Sequence, residues 1–115
     1  MLIAALVLIA GGLVTIWVGL KSTRGDLERN WVVGIRIAST LASDEAWAAA
    51  HRASGRTLMA AGLAPVVGGI LMVLFGWGRD AFAATVALTS CGMLVLLVLL
   101  AGRVADRAAK AVDSA

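Results

Sequence analysis

Charged residues are scarce in this chain. They make up 15% of 115 residues, against the roughly 25% usual for a soluble globular domain. So few charges cannot cover a core with polar surface, which excludes a soluble domain, and those present are segregated between apolar blocks. Cysteine is reduced to Cys91, so there is no disulfide framework and no paired spacing for a metal. Inside an apolar run, Cys91 reads as a small buried packing residue. Met1 to Leu20 contains no charge at all. A secretory signal carries positive charge ahead of its apolar core, whereas here Lys21, Arg24 and Arg29 follow it. The first apolar run is therefore expected to be a retained span.

What is present is apolar. Hydrophobic residues reach 61% and the mean hydropathy is +0.95. Three blocks, at about 2–20, 57–76 and 81–102, each hold the roughly 20 residues that a helix needs to cross a hydrocarbon core of about 30 Å. The predicted fold is all-α: a single polytopic membrane domain over 1–115 with three transmembrane helices. An interfacial amphipathic segment (21–56) separates the first two spans, and a polar helical tail (103–115) follows the third. The short turn Trp77-Gly78-Arg79-Asp80 makes the second and third spans an antiparallel hairpin.

A pI near 10 could suggest nucleic acid, but the basic residues flank the spans, where anionic headgroups and topology explain them. The lipid bilayer is the expected partner and no direct nucleic-acid contact is expected. The connection between the first two spans carries Lys21, Arg24, Arg29, Arg36, Arg52 and Arg56, and the tail carries Arg103, Arg107 and Lys110. The second loop carries only Arg79. This bias places the connection and the C-terminus in the cytoplasm, with the N-terminus and Arg79 outside.

Small residues recur at helical spacing: Gly11, Thr15 and Gly19 in the first span, and Thr85, Thr89 and Gly92 in the third. In the second, Gly55, Gly62, Gly69 and Gly76 repeat every seven residues. Lipid supplies no hydrophobic drive between helices, so such rows mark faces where backbones approach. The glycine stripe predicts that the second span is the centre of a three-helix bundle. Turned outward, the same stripe would serve a homo-oligomer or a larger membrane complex. Pro65 is expected to kink this span.

The polar connection is the informative part. Ser43 followed by Asp44 and Glu45 reads as a capped helix start, and nothing breaks the pattern before the second span. One helix is expected from Asp44 into the membrane, with Trp47 at headgroup depth. Asp44, Trp47 and His51 share one face of it; Glu45, Arg52 and Arg56 share another. The preceding stretch, Asn30 to Ile37 with Trp31, is too short to span and reads as an interfacial or re-entrant piece. Arg36, between isoleucines, is expected either to snorkel to phosphate or, if buried, to take Asp44 or Glu45 as its partner. A headgroup collar would need tryptophan and basic residues. It would not need Asn30, Ser39, Thr40, two acids and a histidine as well.

The pattern Asn30…Gly34-Ile35-Arg36, Thr40-Leu41, Ser43-Asp44-Glu45-x-Trp47 and His51-Arg52-x-x-Gly55 resembles the signature of the SdpI-like bacterial membrane proteins. One departure is that Ile37-Ala38-Ser39 stands where that family often has Thr-Pro-aromatic. The resemblance implies a multi-pass protein of the bacterial cell membrane, without cofactor or metal. It implies immunity against a membrane-active peptide toxin, or signalling by recruitment of a cytoplasmic protein partner. By position, the motif residues are Asn30, Gly34, Arg36, Thr40, Asp44, Glu45, Trp47, His51 and Arg52, with Gly55 closing it.

Two other functions compete. A small hydrolase-type membrane enzyme would use His51 as base or ligand with Glu45 or Arg36 assisting. Glu45 and His51 point in different directions on one helix, however, and base catalysis needs hydrogen-bond reach. An accessory subunit of a larger complex would use the glycine stripe as its contact face.

Overall fold

The computed structural model describes residues 1–30 and 32–114; Trp31, read above as part of the interfacial piece, lies outside them. The described residues form α1 (Leu2–Arg24), α2 (Ala38–Leu41), α3 (Asp44–Phe75) and α4 (Asp80–Ser114). Helices α1, α3 and α4 are each long and apolar enough to cross a membrane, so the protein is an all-α polytopic membrane protein.

The local sequence explains where the helices begin and end. α1 closes on Gly25 at φ 74°, with the Asp26 N–H donating to Lys21 O at 2.9 Å. A side chain at such a φ would be strained, so glycine stops the helix there. α3 starts at the Ser43 hydroxyl, which accepts from the Ala46 N–H at 3.0 Å, with Asp44 and Glu45 in the first turn. α3 stays helical through Pro65, whose ring faces Gly12 of α1.

The helix lengths differ, and the surplus has a location. α1 has 23 residues, α3 has 32 and α4 has 35, or about 35, 48 and 52 Å at 1.5 Å per residue. The excess of α3 and α4 lies at one end, where Ala46 and Ala50 of α3 pack on Ala105 and Ala109 of α4. Nine of the ten basic residues belong to the segments at this end; it is called the basic end below.

α3 lies between α1 and α4, which scarcely touch each other. Its contact with α1 is a run of small residues in antiparallel register: Gly69 against Ala5, Gly62 against Gly12, and Gly55 against Gly19. A Cβ on Gly62 would stand 2.5 Å from Gly12 O, and one on Gly19 would stand 2.7 Å from Gly55 O. Only backbone against backbone fits there, which is how helices associate where lipid gives no hydrophobic drive. On its other side α3 meets α4, with Gly68 against Ser90 and Met72 near Ala83.

Several packing expectations need correcting. The α1 contact row is Ala5, Gly12 and Gly19, a seven-residue repeat. It is not Gly11, Thr15 and Gly19: Gly11 meets nothing within 4 Å, and Thr15 turns its hydroxyl back to Gly11 O. Gly76 lies one residue beyond α3, at its C-cap, where its nearest neighbour is Met72 O. Gly92 faces open space and Cys91 is exposed, because α4 turns Ala83, Ser90 and Ala101 inward.

Replacing Gly62 by valine forces α1 and α3 apart, and overpacking of this kind costs about 1–3 kcal/mol. Thermal unfolding in mild detergent should show a clearly lower midpoint for G62V, while G11V, on open surface, should unfold like the parent. Equal midpoints would mean that the helices do not meet at this row.

Candidate functional site

The connection between α1 and α3 folds back on the basic end as a cap. Its apolar side chains, Leu27, Val33 and Ile35, pack around Val18, Leu58 and Ala101, and Ile35 also reaches the Ala46–Ala109 cluster. Because α3 and α4 extend past α1 at this end, the cap rests on helix.

Asn30 organises the start of the cap. Its Oδ1 accepts from the backbone N–H groups of Val32 (2.9 Å) and Val33 (2.7 Å), and its Nδ2 donates to Glu28 O (2.8 Å) and Val33 O (3.1 Å). An asparagine closing on neighbouring backbone in this way fixes a tight turn. Thr40, fully buried, ties the far side: its Oγ1 accepts from the Ile37 N–H at 3.1 Å and lies 2.7 Å from Ile35 O, to which it donates.

Between them lies the centre of the site. The Ile35 N–H donates to His51 Nε2 at 2.9 Å, and His51 Nδ1 lies 2.8 Å from Trp47 O. The backbone N–H can only donate and the carbonyl can only accept. The imidazole must therefore be neutral, with its proton on Nδ1. The Trp47 ring stacks on it, with centroids 4.1 Å apart, and its Nε1–H donates to Leu27 O at 2.8 Å. Gly34 crosses this pair at φ 111°; a Cβ there would come within 2.7 Å of His51 Nε2 and 2.9 Å of the Trp47 ring. Both the backbone angle and the close approach require glycine.

Asn30, Gly34, Thr40, Trp47 and His51 are thus brought together in one satisfied network, and among the described residues no buried side-chain polar atom lacks a partner. The other motif residues lie outside it. Asp44 is exposed and pairs with Arg29, Nε to Oδ1 at 3.2 Å. Glu45 is exposed and makes no ion pair or side-chain hydrogen bond among the described residues. The exposed Arg52 lays its guanidinium over Gly25, at the end of α1, where the helix dipole favours a cation.

One expectation changes here, and the alternative left open for Arg36 narrows. Trp47, only 2% exposed, does not present its ring to headgroups, because the returning chain covers it. Arg36 is exposed and donates from Nε to Asn30 O at 2.9 Å, while Arg29 takes the carboxylate of Asp44. Arg29 also donates to Leu41 O at 3.1 Å. Helical spacing places residues within α3 but says nothing of which arginine in the preceding turn will arrive beside it.

A second tie was not anticipated. The Ser39 hydroxyl donates to Asp106 of α4 at 2.6 Å, and Lys110 lies 3.0 Å from the same carboxylate. Ser39 first, and then Lys110, hold the Asp106 carboxyl below its usual range. The spacing of Asp106 and Lys110 is visible in the sequence as an i, i+4 pair. The contact from Ser39, across 67 residues, has no local signal. It falls inside the Ile37-Ala38-Ser39 departure, so that stretch has its own anchor.

The chemical capacity of the site follows from these bonds. His51 has no free lone pair: Nε2 accepts from Ile35, and Nδ1 carries the proton toward Trp47. It is therefore not poised as a base. The described residues bring together no group of histidine, cysteine and carboxylates able to hold a metal. What remains open is surface. A cleft of about 430 Å³ is lined by Arg29, Asn30, Arg36 and Leu41. Across Arg29 lies a second cleft of about 370 Å³, bordered by Glu28, Asp44 and Trp47.

Burial pushes the His51 imidazole below its ordinary value of 6.5, partly offset by the bond to Trp47. A folded state that resists protonation contributes stability that is complete above the unfolded value and is lost as the pH falls through it. The detergent-solubilised protein should therefore lose stability between neutral pH and about pH 5. The H51N variant should be less stable at neutral pH and should lack this step. A parent whose unfolding midpoint is flat over the same range would contradict the neutral, doubly bonded imidazole.

The family model described as the SdpI/YfhL protein family matches residues 26–105, from the cap through most of α4. No curated protein and no solved structure matches the chain.

Proposed function

The chain belongs to the SdpI/YfhL protein family, and from that premise we propose that it acts by recognition rather than by catalysis. In this reading it is an immunity-type protein: the bundle meets a membrane-active peptide, and the cap passes that state to a protein partner in the cytoplasm. The basic end then faces the cytoplasm, supported by the gathering of nine of the ten basic residues in its segments and the positive-inside rule.

The observation that carries the reading is the use of His51. The residue best suited to acid–base work is spent at both nitrogens on holding Gly34 and Ile35 against α3. That leaves the motif with two kinds of residue. Asn30, Gly34, Thr40, Trp47 and His51 build the cap, while Arg36, Glu45 and Arg52 lie on its outside. An enzyme would be expected to keep its base accessible to substrate. A recognition module needs a rigid support and an exposed face, and this division supplies both.

The test is tolerance to membrane-active peptides in bacteria expressing the chain. The parent should raise the tolerated concentration several-fold for at least one of a panel of cationic, anionic and neutral peptides. R36A and E45A, which leave the His51 network in place, should accumulate in the membrane like the parent and lose that protection. An unchanged tolerance across the panel would overturn the immunity reading. A substrate turned over by the purified protein and lost in H51Q would restore the enzyme.

A further inference from the structure

We propose that the groove between α3 and α4, on the side turned away from α1, seats α4 of a second copy of this chain. Two copies then pair about a twofold axis along the membrane normal.

The groove holds about 470 Å³ between two rows of side chains, Leu63, Val67 and Leu71 on α3 and Thr85, Thr89 and Met93 on α4. Each row runs i, i+4, i+8, about 12 Å along its helix. Such a trough is the shape into which a ridge of another helix packs. Val67 is half exposed on one face of α3, whereas Gly62 and Gly69 meet α1 on another. A helix seated in the groove therefore leaves the α1 contact intact.

The floor of the groove carries an unspent hydroxyl. Ser90 is only 7% exposed and makes no side-chain hydrogen bond among the described residues. Its oxygen lies against Gly68, where a Cβ would collide with it. Among the described residues no fully buried side-chain polar atom lacks a partner. The Ser90 oxygen therefore keeps an opening, and the groove it lines is where it opens. Thr89, beside it, is likewise without a side-chain bond. Thr15 and Thr85, by contrast, each donate to the carbonyl four residues earlier. A hydroxyl kept off such a bond in hydrocarbon is costly until something reaches it.

Depth, taken at Ser90 itself, restricts what can reach it. No charged residue occurs at 57–78 or at 81–102. Ser90 comes ten residues after Asp80 and thirteen before Arg103, about 15 and 20 Å along α4. Gly68, opposite, comes twelve residues after Arg56, about 18 Å along α3. The polar atoms of a phospholipid lie at the edges of a core of about 30 Å. An acyl chain can fill the groove but cannot bond to its floor, so the bonding group comes from another membrane-spanning segment.

A second copy meets each requirement. All copies insert with one orientation, so a twofold axis brings Thr89 and Ser90 of both to the same depth. A hydroxyl both donates and accepts, which makes the pair complementary to itself. The entering ridge must be slim, and α4 carries one, Thr85-Thr89-Gly92, on which Gly92 meets nothing within 4 Å. No charge lines either wall, so two identical surfaces meet without repulsion. The seating is reciprocal: each α4 lies in the groove of the other copy, and α3 and α4 of both close into a four-helix cluster.

The test begins with cysteine cross-linking of the full chain in lipid vesicles under mild oxidation. In a C91S background, T89C should form a disulfide dimer. L88C in the same background, and the parent with its Cys91, should stay uncross-linked, because both positions face lipid on the other flank of α4. Energy transfer between copies labelled at their C-termini, followed as the vesicles are diluted with lipid, should report a dimer. Its dissociation constant should rise about tenfold in T89V/S90A, the loss of two interhelical hydrogen bonds. V67W fills the groove from its rim and should abolish the dimer; V14W, on the lipid face of α1, should not. Thermal midpoints like that of the parent show that both variants fold. T89C cross-linking no better than L88C, or energy transfer unchanged in V67W, would overturn the proposal. So would a monomer at every protein-to-lipid ratio, which would give the groove to lipid or, if V67W also lost protection against a peptide, to that peptide.

Discussion

The hydrogen bond from the Ile35 N–H to His51 Nε2 closes a circuit on which the rest of the basic end depends. Through it, a stretch of chain with almost no regular structure is fixed to a helix sixteen residues later in sequence. The bond has force because the other ring nitrogen is engaged as well, against Trp47 O. An imidazole held at both nitrogens by backbone can have only one protonation state and one orientation. Gly34 can then lie flat on the ring, Ile35 can drop between the two alanine-lined helices, and Trp47 is sealed beneath. Were the ring to take a second proton, two N–H groups would face each other at Ile35, and a buried donor without a partner is costly.

Much of the architecture could be read without coordinates, for reasons that also explain the failures. Three runs of twenty apolar residues leave a membrane protein no choice but helices, and Ser43-Asp44-Glu45 announces the start of α3 by local hydrogen bonding alone. The seven-residue spacing of Gly55, Gly62 and Gly69 stands out because glycine is conspicuous. The row it meets begins with Ala5, which does not stand out among so many alanines, so Gly11 and Thr15 compete for the role at four-residue spacing. Trp47 and Cys91 go astray for one shared reason. Periodicity gives the direction of a side chain around its own helix, but not what another part of the chain will bring to that face. The cap is an arrangement of this kind: the link from Ser39 to Asp106, like that from Ile35 to His51, joins positions with no local relation.

The family signature takes on a physical sense in this light. A motif combining asparagine, glycine, threonine, tryptophan and histidine looks like a collection of chemical tools. In this chain those five are occupied in holding the backbone of the cap, and each makes the bonds or the clearance that its type is suited to: Asn30 turning the backbone, Gly34 taking a left-handed angle under a ring, Thr40 bridging two backbone groups. The residues that could engage something outside the protein are the plainer ones beside them: Arg29, Arg36 and Glu45. The two sets of side chains are adjacent, and they meet where Arg36 donates to Asn30 O.

The position of α3 between α1 and α4 also has a consequence for how the protein is made. α1 leaves the ribosome first, yet the backbone it packs on, from Gly55 to Gly69, comes some fifty residues later, and α4 lends it no alternative surface. Until α3 is made, Gly12 and Gly19 therefore lack the backbone they pack on in the finished bundle. The connection cannot close over His51 until α3 has emerged and found it. The finished basic end needs every helix: α3 supplies Gly55 for Gly19 and His51 for the connection, and α4 supplies Asp106 for Ser39 to grasp. The basic end is the last part to become itself.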